Sequence, residues 1–191
     1  KELHKHNRSH SKRYYYAVRS MKPRNPYTRA ARLIYLNRTC WNGLYRVNLH
    51  GQFNVPIGTK PSALLYSDDF ESISKLLLTA ELCVADFADV ISQAGRNDLV
   101  FVDPPYTVKH NLNGFVKYNE TLFSWDDQIR LRDCVVEANA RGASIVLTNA
   151  YHKSIKKLYR NIGTQRRLKR LSVLAADISK RKVCDELLVL I

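Results

Sequence analysis

The spacing of apolar positions changes character twice along this chain, and each change predicts a different kind of structure. The first twelve residues hold one aliphatic side chain, Leu3, which predicts an opening that is frayed or belongs to something outside this sequence. Tyr14 to Met21 fits a helix. Lys22-Pro23-Arg24-Asn25-Pro26 ends it, because each proline pushes its predecessor out of the α region. From Tyr27 the apolar residues Ala30, Leu33, Ile34 and Leu36 recur at near-helical spacing with Arg29, Arg32 and Arg38 between them, which predicts an amphipathic basic helix. Helical period is then lost from Asn37 to Gly58. Tyr45-Arg46-Val47-Asn48 and Phe53-Asn54-Val55 read as two short strands of a hairpin turning near His50-Gly51, closed by Pro56 and Gly58. Ser67-Asp68-Asp69 offers caps for a helix carrying Phe70, Ile73, Leu76 and Leu77.

The second half alternates strands and helices. Leu82-Cys83-Val84, Leu99-Val100-Phe101-Val102, Ile145-Val146-Leu147 and Leu187 to Ile191 read as strands. The second is continuously apolar, as expected of a strand covered on both faces. Ser124-Trp125-Asp126-Asp127 opens a helix with a capping-box variant; Arg141-Gly142 stops it, and Tyr151 to Arg160 predicts another helix. This is the pattern of an α/β sheet.

Charge narrows the partners. The 191 residues suit one domain, or one domain with a sizeable insertion, and carry 31 Lys and Arg against 17 Asp and Glu, a net charge of +14. Such an excess favours an anionic partner, because each phosphate neutralised by Lys or Arg releases condensed counterions; nucleic acid leads and an anionic membrane surface is second. No apolar run approaches the roughly 18 to 20 residues that span a bilayer, and the basic, polar N-terminus is unlike a signal peptide. Cys40, Cys83, Cys134 and Cys184 are scattered, without C-x-x-C pairs, which indicates reduced thiols rather than zinc or disulfides. His4, His6 and His10 cluster, but Lys5, Arg8, Lys12 and Arg13 around them oppose a cation, so no metal is expected.

The chemistry concentrates at one strand end. Asp103 directly follows Leu99-Val100-Phe101-Val102, and in open α/β sheets ligands bind beyond the carboxyl ends of strands. Pro104 and Pro105 fix φ and remove two N–H donors, so the turn is stiff and its carbonyls point in set directions. One carboxylate, outward carbonyls and the Tyr106 ring suit a planar substrate bearing an amino group: the ring stacks, and the oxygens accept the amino hydrogens. Alone, the tetrapeptide can also be read as a surface turn; the preceding strand is what makes it a site.

Asp103-Pro104-Pro105-Tyr106 is similar to the DPPY motif of amino-methyltransferases. Asn37-Arg38-Thr39-Cys40-Trp41-Asn42-Gly43-Leu44-Tyr45-Arg46-Val47-Asn48, continuing through Gly51-Gln52-Phe53-Asn54-Val55-Pro56-Ile57-Gly58, resembles the DNA-reading hairpin of the Dam family of DNA adenine methyltransferases. The resemblance runs from about Thr28 to Ile191. It implies an α/β fold, a partial Rossmann-like S-adenosylmethionine-dependent methyltransferase sheet with a helical and β-hairpin DNA-recognition insertion. Residues 1–66 would be the basic DNA-recognition region and residues 67–191 the C-terminal part of the catalytic domain. It further implies that the Asp103 side chain and Pro104 carbonyl hold the amino group of an adenine flipped out of double-stranded DNA, with Tyr106 stacked on it. Trp41 would enter the stack opposite that base, with Asn42 beside it. Leu44, Arg46, Asn48 and Pro56 would approach base edges, with Arg46 the sharpest candidate for bidentate recognition of guanine, and Arg38 would contact phosphate. Leu44 and Pro56 are also explained as ordinary packed or solvated hairpin residues. Asp86-Phe87 looks like the element at the adenine moiety of S-adenosylmethionine, and Asp103 borders the same pocket; a helix-capping Asp with a core Phe explains the pair almost as well. Thr107 to Thr121 resembles a loop that closes over the flipped base.

The family's Gly-rich FxGxG loop and acidic ribose-binding residue are absent from this sequence, and there is no initiator Met. The resemblance therefore implies the C-terminal portion of a longer enzyme, or a DNA-binding fragment that is catalytically incomplete. Lys169-Arg170-Leu171-Ser172-Val173-Leu174 is only partly similar to the Arg-Arg-Ser-Ile-Ser-like segment of the family, and Thr107-Val108-Lys109-His110 carries no transferable contacts. The implied setting is a monomer in the cytoplasm of a bacterium or phage-infected cell, acting at a GATC-like palindrome, with a partner restriction enzyme left open.

Overall fold

The computed structural model describes residues 1–48, 50–108, 123–171 and 183–191. They fall into two compact units, Lys1–Glu81 and the described residues from Leu82 to Ile191.

The first unit is mainly helical. It comprises α1 (Glu2–Arg8), α2 (Lys12–Ser20), α3 (Pro26–Thr39), a 3-10 turn over Trp41–Gly43, and α4 (Phe70–Leu77). The polar opening is therefore a helix, not a frayed end. Leu3 and His6 are buried, and the Asn7 side-chain oxygen accepts from the backbone N–H of Ala63 at 2.7 Å and the Ser62 hydroxyl at 2.9 Å. These bonds to a distant segment order residues whose own composition could not. Local signals start the next helices: the Ser11 side chain accepts from the N–H of Tyr14, Asn25 accepts from the N–H groups of Tyr27 and Thr28 with Pro26 in the first turn, and Asp69 accepts from the N–H of Ser72.

Tyr15, Val18, Tyr35 and Leu36 are fully buried and pack with Phe53, Val55 and Ala63. Burying an aliphatic side chain such as Leu36 contributes roughly 1.5 to 3 kcal/mol. The Tyr15 hydroxyl donates to the carbonyls of Val55 and Pro56, which ties the segment after α3 onto α2. The expected pair of hairpin strands reduces to one antiparallel bridge, Val47 with Phe53, because the Asn48 side-chain oxygen accepts from the N–H groups of His50 and Gln52 and tightens the turn early. A second bridge joins Cys40 to Ile57, and there a Cβ at Gly58 would lie 2.5 Å from the Cys40 carbonyl oxygen, so only glycine permits the approach.

The second unit is built on a four-stranded sheet, β1 (Leu99–Val102), β2 (Ser144–Ala150), β3 (Thr164–Leu171) and β4 (Val183–Leu190), in the order β1-β2-β4-β3. β1 and β2 are parallel and joined through α6 (Trp125–Ala140); β4 is antiparallel to both β2 and β3. Helices α5 (Phe87–Ile91) and α7 (Lys153–Leu158) complete the unit. Ser124 and Asp127 form the expected reciprocal capping box at the start of α6. The core takes Leu131, Val135 and Ala138 from α6, Ile145 and Leu147 from β2, and Leu187 and Val189 from β4. Burial alternates along β2, as a strand packed on one face requires.

Two expectations fail here and one strand was unforeseen, each for an identifiable reason. Leu82-Cys83-Val84 forms no strand; Leu82 is 72% exposed and Val84 fully so, having no partner strand among the described residues. β1 is covered on one face rather than two, since Leu99 and Phe101 are exposed while Val102 is buried. β3 was not anticipated, because Thr164-Gln165-Arg166-Arg167-Leu168-Lys169-Arg170-Leu171 lacks apolar alternation. It is held instead by eight registered pairs with β4 and by the diagonal ion pairs Arg167–Asp185 and Arg170–Glu186.

Candidate functional site

The turn that follows β1 is the common wall of two cavities. Val102 is fixed beside Leu147 by the β1–β2 pairing, and Asp103 emerges directly after it. Pro104 is buried, Pro105 is exposed and Tyr106 is half-buried. Along one side lies a cavity of about 560 Å³ lined by Asp86, Phe87, Val100, Asp103, Pro104 and Arg130 among others. Another, of about 570 Å³, is lined by Asp103, Pro105, Tyr106, Thr148, Arg170 and Glu186. The four residues of the turn and the Asp86-Phe87 pair, chosen from sequence as separate motifs, thus meet within one unit.

In the second cavity Thr148, on β2, donates its hydroxyl to Asp103 Oδ1 at 2.7 Å and makes a longer contact to the Val102 carbonyl at 3.5 Å. Burial pushes the Tyr106 phenol above its ordinary value, and hydrogen bonding with the Thr148 side chain offsets part of that shift. In the first cavity Asp86 caps α5 by accepting from the N–H of Ala88, and both of its oxygens bond Arg130, at 2.6 and 3.0 Å. The Arg130 hydrogen bond is the main cause of an Asp86 carboxyl held below its usual range. Arg130 also lies 4.0 Å above the centroid of Phe87 and bonds Asp127. Asp86 and Phe87 therefore do structural work already, as cap and ring platform, while still facing open volume.

In the helical unit Trp41, Asn42, Arg46 and Pro56 are exposed, and Leu44 and Asn48 are partly so. Asn42 takes a left-handed φ of 56°, and the Trp41 N–H donates to the Pro56 carbonyl at 2.9 Å, which brings both ends of the hairpin together. Asn48 is engaged in its own turn. Arg38 is committed inside the unit: it pairs with both carboxylate oxygens of Asp68, donates to the Ala63 carbonyl and lies over the Phe70 ring. That pairing, before the Leu65 N–H, holds the Asp68 carboxyl low. Of the expected closing loop, residues 109–121 lie outside the described residues, as do Ser172-Val173-Leu174 and Leu49.

The sequence reading passed over Thr148, Gln128, Asn149 and Arg130. A signal existed for two of them. Gln128 falls on the buried stripe that continues as Leu131, Val135 and Ala138, and Asn149 is a polar residue at a buried position of β2. Both are departures from apolar periodicity. Among the described residues no group of three or more His, Cys, Asp or Glu is placed to hold a metal, and no helix is long and apolar enough to cross a membrane.

A stiff acidic turn at a strand's carboxyl end, flanked by two cavities, marks the candidate site of this α/β unit. The chain belongs to the D12 class N6 adenine-specific DNA methyltransferase family, whose sequence profile matches residues 1–173. A Type II methyltransferase of Lactococcus lactis subsp. cremoris is 35% identical over 170 residues, covering 84% of this chain and 60% of that protein. The DNA N-6-adenine-methyltransferase of Escherichia phage P1 is 36% identical over 152 residues, 78% of this chain and 20% of its own length. A DNA adenine methylase of Vibrio cholerae is 29% identical over 164 residues, 85% of this chain and 58% of the relative. The chain thus spans little more than half of the Lactococcus and Vibrio proteins. The profile includes residues 1–27, which the motif resemblance had left out.

Proposed function

We propose that this chain carries the base-capturing part of an S-adenosylmethionine-dependent DNA adenine methyltransferase, acting on the exocyclic amino group of an adenine flipped out of double-stranded DNA. The observation that carries the reading is the Asp103-Pro104-Pro105-Tyr106 turn standing as the shared wall of two cavities, in a chain of this family. On this reading the sheet is part of a Rossmann-like methyltransferase core, residues 67–191 belong to the catalytic domain, and residues 1–66 form the helical and hairpin region that engages DNA.

An adenine amino group is a poor nucleophile because its lone pair is delocalised into the ring. The Asp103 carboxylate and the Pro104 carbonyl accept its two hydrogens and favour a tetrahedral nitrogen, and Tyr106 stacks on the base. Both prolines restrict the turn before substrate arrives, so little ordering is left for the moment of reaction. The cavity beside Asp86 and Phe87 fits S-adenosylmethionine in size and chemistry: about 560 Å³, an aromatic platform and a carboxylate acceptor. Asp86, Phe87 and Asp103 would hold that cofactor, which supplies an electrophilic methyl group. Because Asp86 is already bonded by Arg130, it must share or release that partner to accept from an adenine amino group.

The net charge of +14 supports binding to DNA phosphates. Arg46, exposed and with no side-chain partner among the described residues, is the residue we assign to a guanine edge. Trp41 enters the stack, while Asn42, Leu44, Asn48 and Pro56 shape the approach. A GATC-like site is the expected target, and the protein would act as a monomer in the cytoplasm of a bacterium or phage-infected cell. The test is transfer of labelled methyl from S-adenosylmethionine to duplex DNA by this chain, with Asp103→Ala as control. Transfer abolished by Asp103→Ala supports the reading; salt-dependent DNA binding without any transfer by the wild-type chain limits it to a DNA-binding role.

A further inference from the structure

Gln128 and Asn149 are fully buried amides beside a core of aliphatic and aromatic side chains. Burying such a group is unfavourable unless its donors and acceptors are met. Gln128, on α6, points its Nε2 at the Pro105 carbonyl at 3.3 Å and the Thr107 carbonyl at 3.5 Å, and its Oε1 accepts from Asn149 Nδ2 at 3.0 Å. Asn149 is fixed in turn, its Oδ1 accepting from the Ala150 N–H at 2.8 Å. The Thr107 hydroxyl donates to the Phe123 carbonyl at 2.7 Å, anchoring the same stretch from its other side.

We propose that Gln128 and Asn149 form a positioning relay that holds the Asp103-Pro104-Pro105-Tyr106 turn in register with β2. The inference rests on the base-capturing reading above. Successive residues of a strand point to opposite faces, and β2 uses two successive residues on one turn: Thr148 bonds the Asp103 carboxylate, and Asn149, through Gln128, steadies the backbone after Pro104. The relay occupies the carbonyls of Pro105 and Thr107, whereas among the described residues the Pro104 carbonyl receives no hydrogen bond. The carbonyl assigned to the substrate amino group is thus not one that the relay uses. Each contact from Gln128 is long, but Gln128 and Thr107 are both buried, so loss of the amide leaves the Thr107 carbonyl without this donor in the core and releases the Pro105 carbonyl from the relay.

The test compares wild-type chain with Gln128→Met, which keeps length and volume but removes donor and acceptor, using two readouts. The first is amide hydrogen exchange at Tyr106, Thr107 and Val108 without substrate; exchange about tenfold faster or more in the variant is expected. The second is steady-state methyl transfer to duplex DNA, where kcat should fall about a hundredfold while the KM for DNA stays within about threefold. Unchanged exchange overturns the relay, whatever the activity. Faster exchange with unchanged kcat overturns its positioning role. If the wild-type chain transfers no methyl, the proposed activity fails separately and exchange alone decides the relay. Should Gln128→Met not fold, Asn149→Ser, which removes the far end of the relay, is expected to speed exchange and lower kcat about tenfold with the same split, and unchanged values overturn the inference.

Discussion

Replacing Thr148 with valine exchanges one hydroxyl for a methyl on a strand that tolerates β-branched residues well. What is lost is the bond from Thr148 Oγ1 to Asp103 Oδ1 at 2.7 Å. A hydrogen bond to a charged group contributes about 1.5 to 3 kcal/mol, but Asp103 is exposed and water competes for it, so the loss is placed at about 1 to 1.5 kcal/mol. If that bond serves to aim the carboxylate at the amino group, the loss falls on the transition state and kcat drops about 5- to 10-fold. Single-turnover methyl transfer onto duplex DNA measures it, with Thr148→Ser, which keeps the hydroxyl, as the matched control. DNA affinity should be unchanged, since Thr148 lines the cavity and offers no positive charge. A rate for Thr148→Val within twofold of wild type, while Asp103→Ala abolishes transfer, refutes the idea that this hydroxyl orients Asp103.

Leu147 is fully buried in the sheet core, and Leu147→Ala should cost about 2 to 5 kcal/mol of stability, read as a lower denaturant midpoint with an unchanged slope. Arg38→Ala should lower the melting temperature of the helical unit and leave the salt slope of DNA binding unaltered, because Arg38 is spent on Asp68 and Ala63; a slope reduced by about one unit would instead mark a phosphate contact. Arg46→Ala should leave stability within about 0.5 kcal/mol yet lower discrimination between cognate and altered duplexes by about 1 to 3 kcal/mol, measured by competition binding. Burial, opposed by Glu2 and reinforced by Lys5, holds His6 below the ordinary imidazole value of 6.5. The unfolded chain then binds a proton that the folded chain does not, so stability rises with pH through that window. Thermal melts should show it complete above about pH 6.5 and falling on acidification, a dependence that His6→Phe removes.

Elements with strong local signals were legible in the sequence. The proline-bearing break between α2 and α3, the Ser124–Asp127 capping box and the apolar runs of β1, β2 and β4 each state their structure within a few residues. α1 and β3 were not legible, because both are held by distant partners: α1 through Asn7 and the 62–64 segment, β3 through β4. Leu82-Cys83-Val84 failed for the opposite reason, since apolar composition alone makes no strand without a neighbour to pair with. At the site, the Asp-Pro-Pro-Tyr turn was visible because proline constraint is written in the chain itself. Thr148 and Gln128 act through space: the pairing of β1 with β2 brings Thr148 to the turn, and the packing of α6 against β2 brings Gln128 there.

The shared wall between the two cavities also bears on kinetic order. On the proposed reading each reactant has its own compartment, and both border the Asp103 turn, so the methyl and the amino group meet there without either ligand having to vacate space for the other. Neither substrate needs to leave before the second arrives, and no covalent enzyme intermediate has to carry the methyl between compartments. Initial-rate plots against both substrates should therefore intersect, the signature of a ternary complex, whereas parallel lines would mean that methyl is parked on the protein.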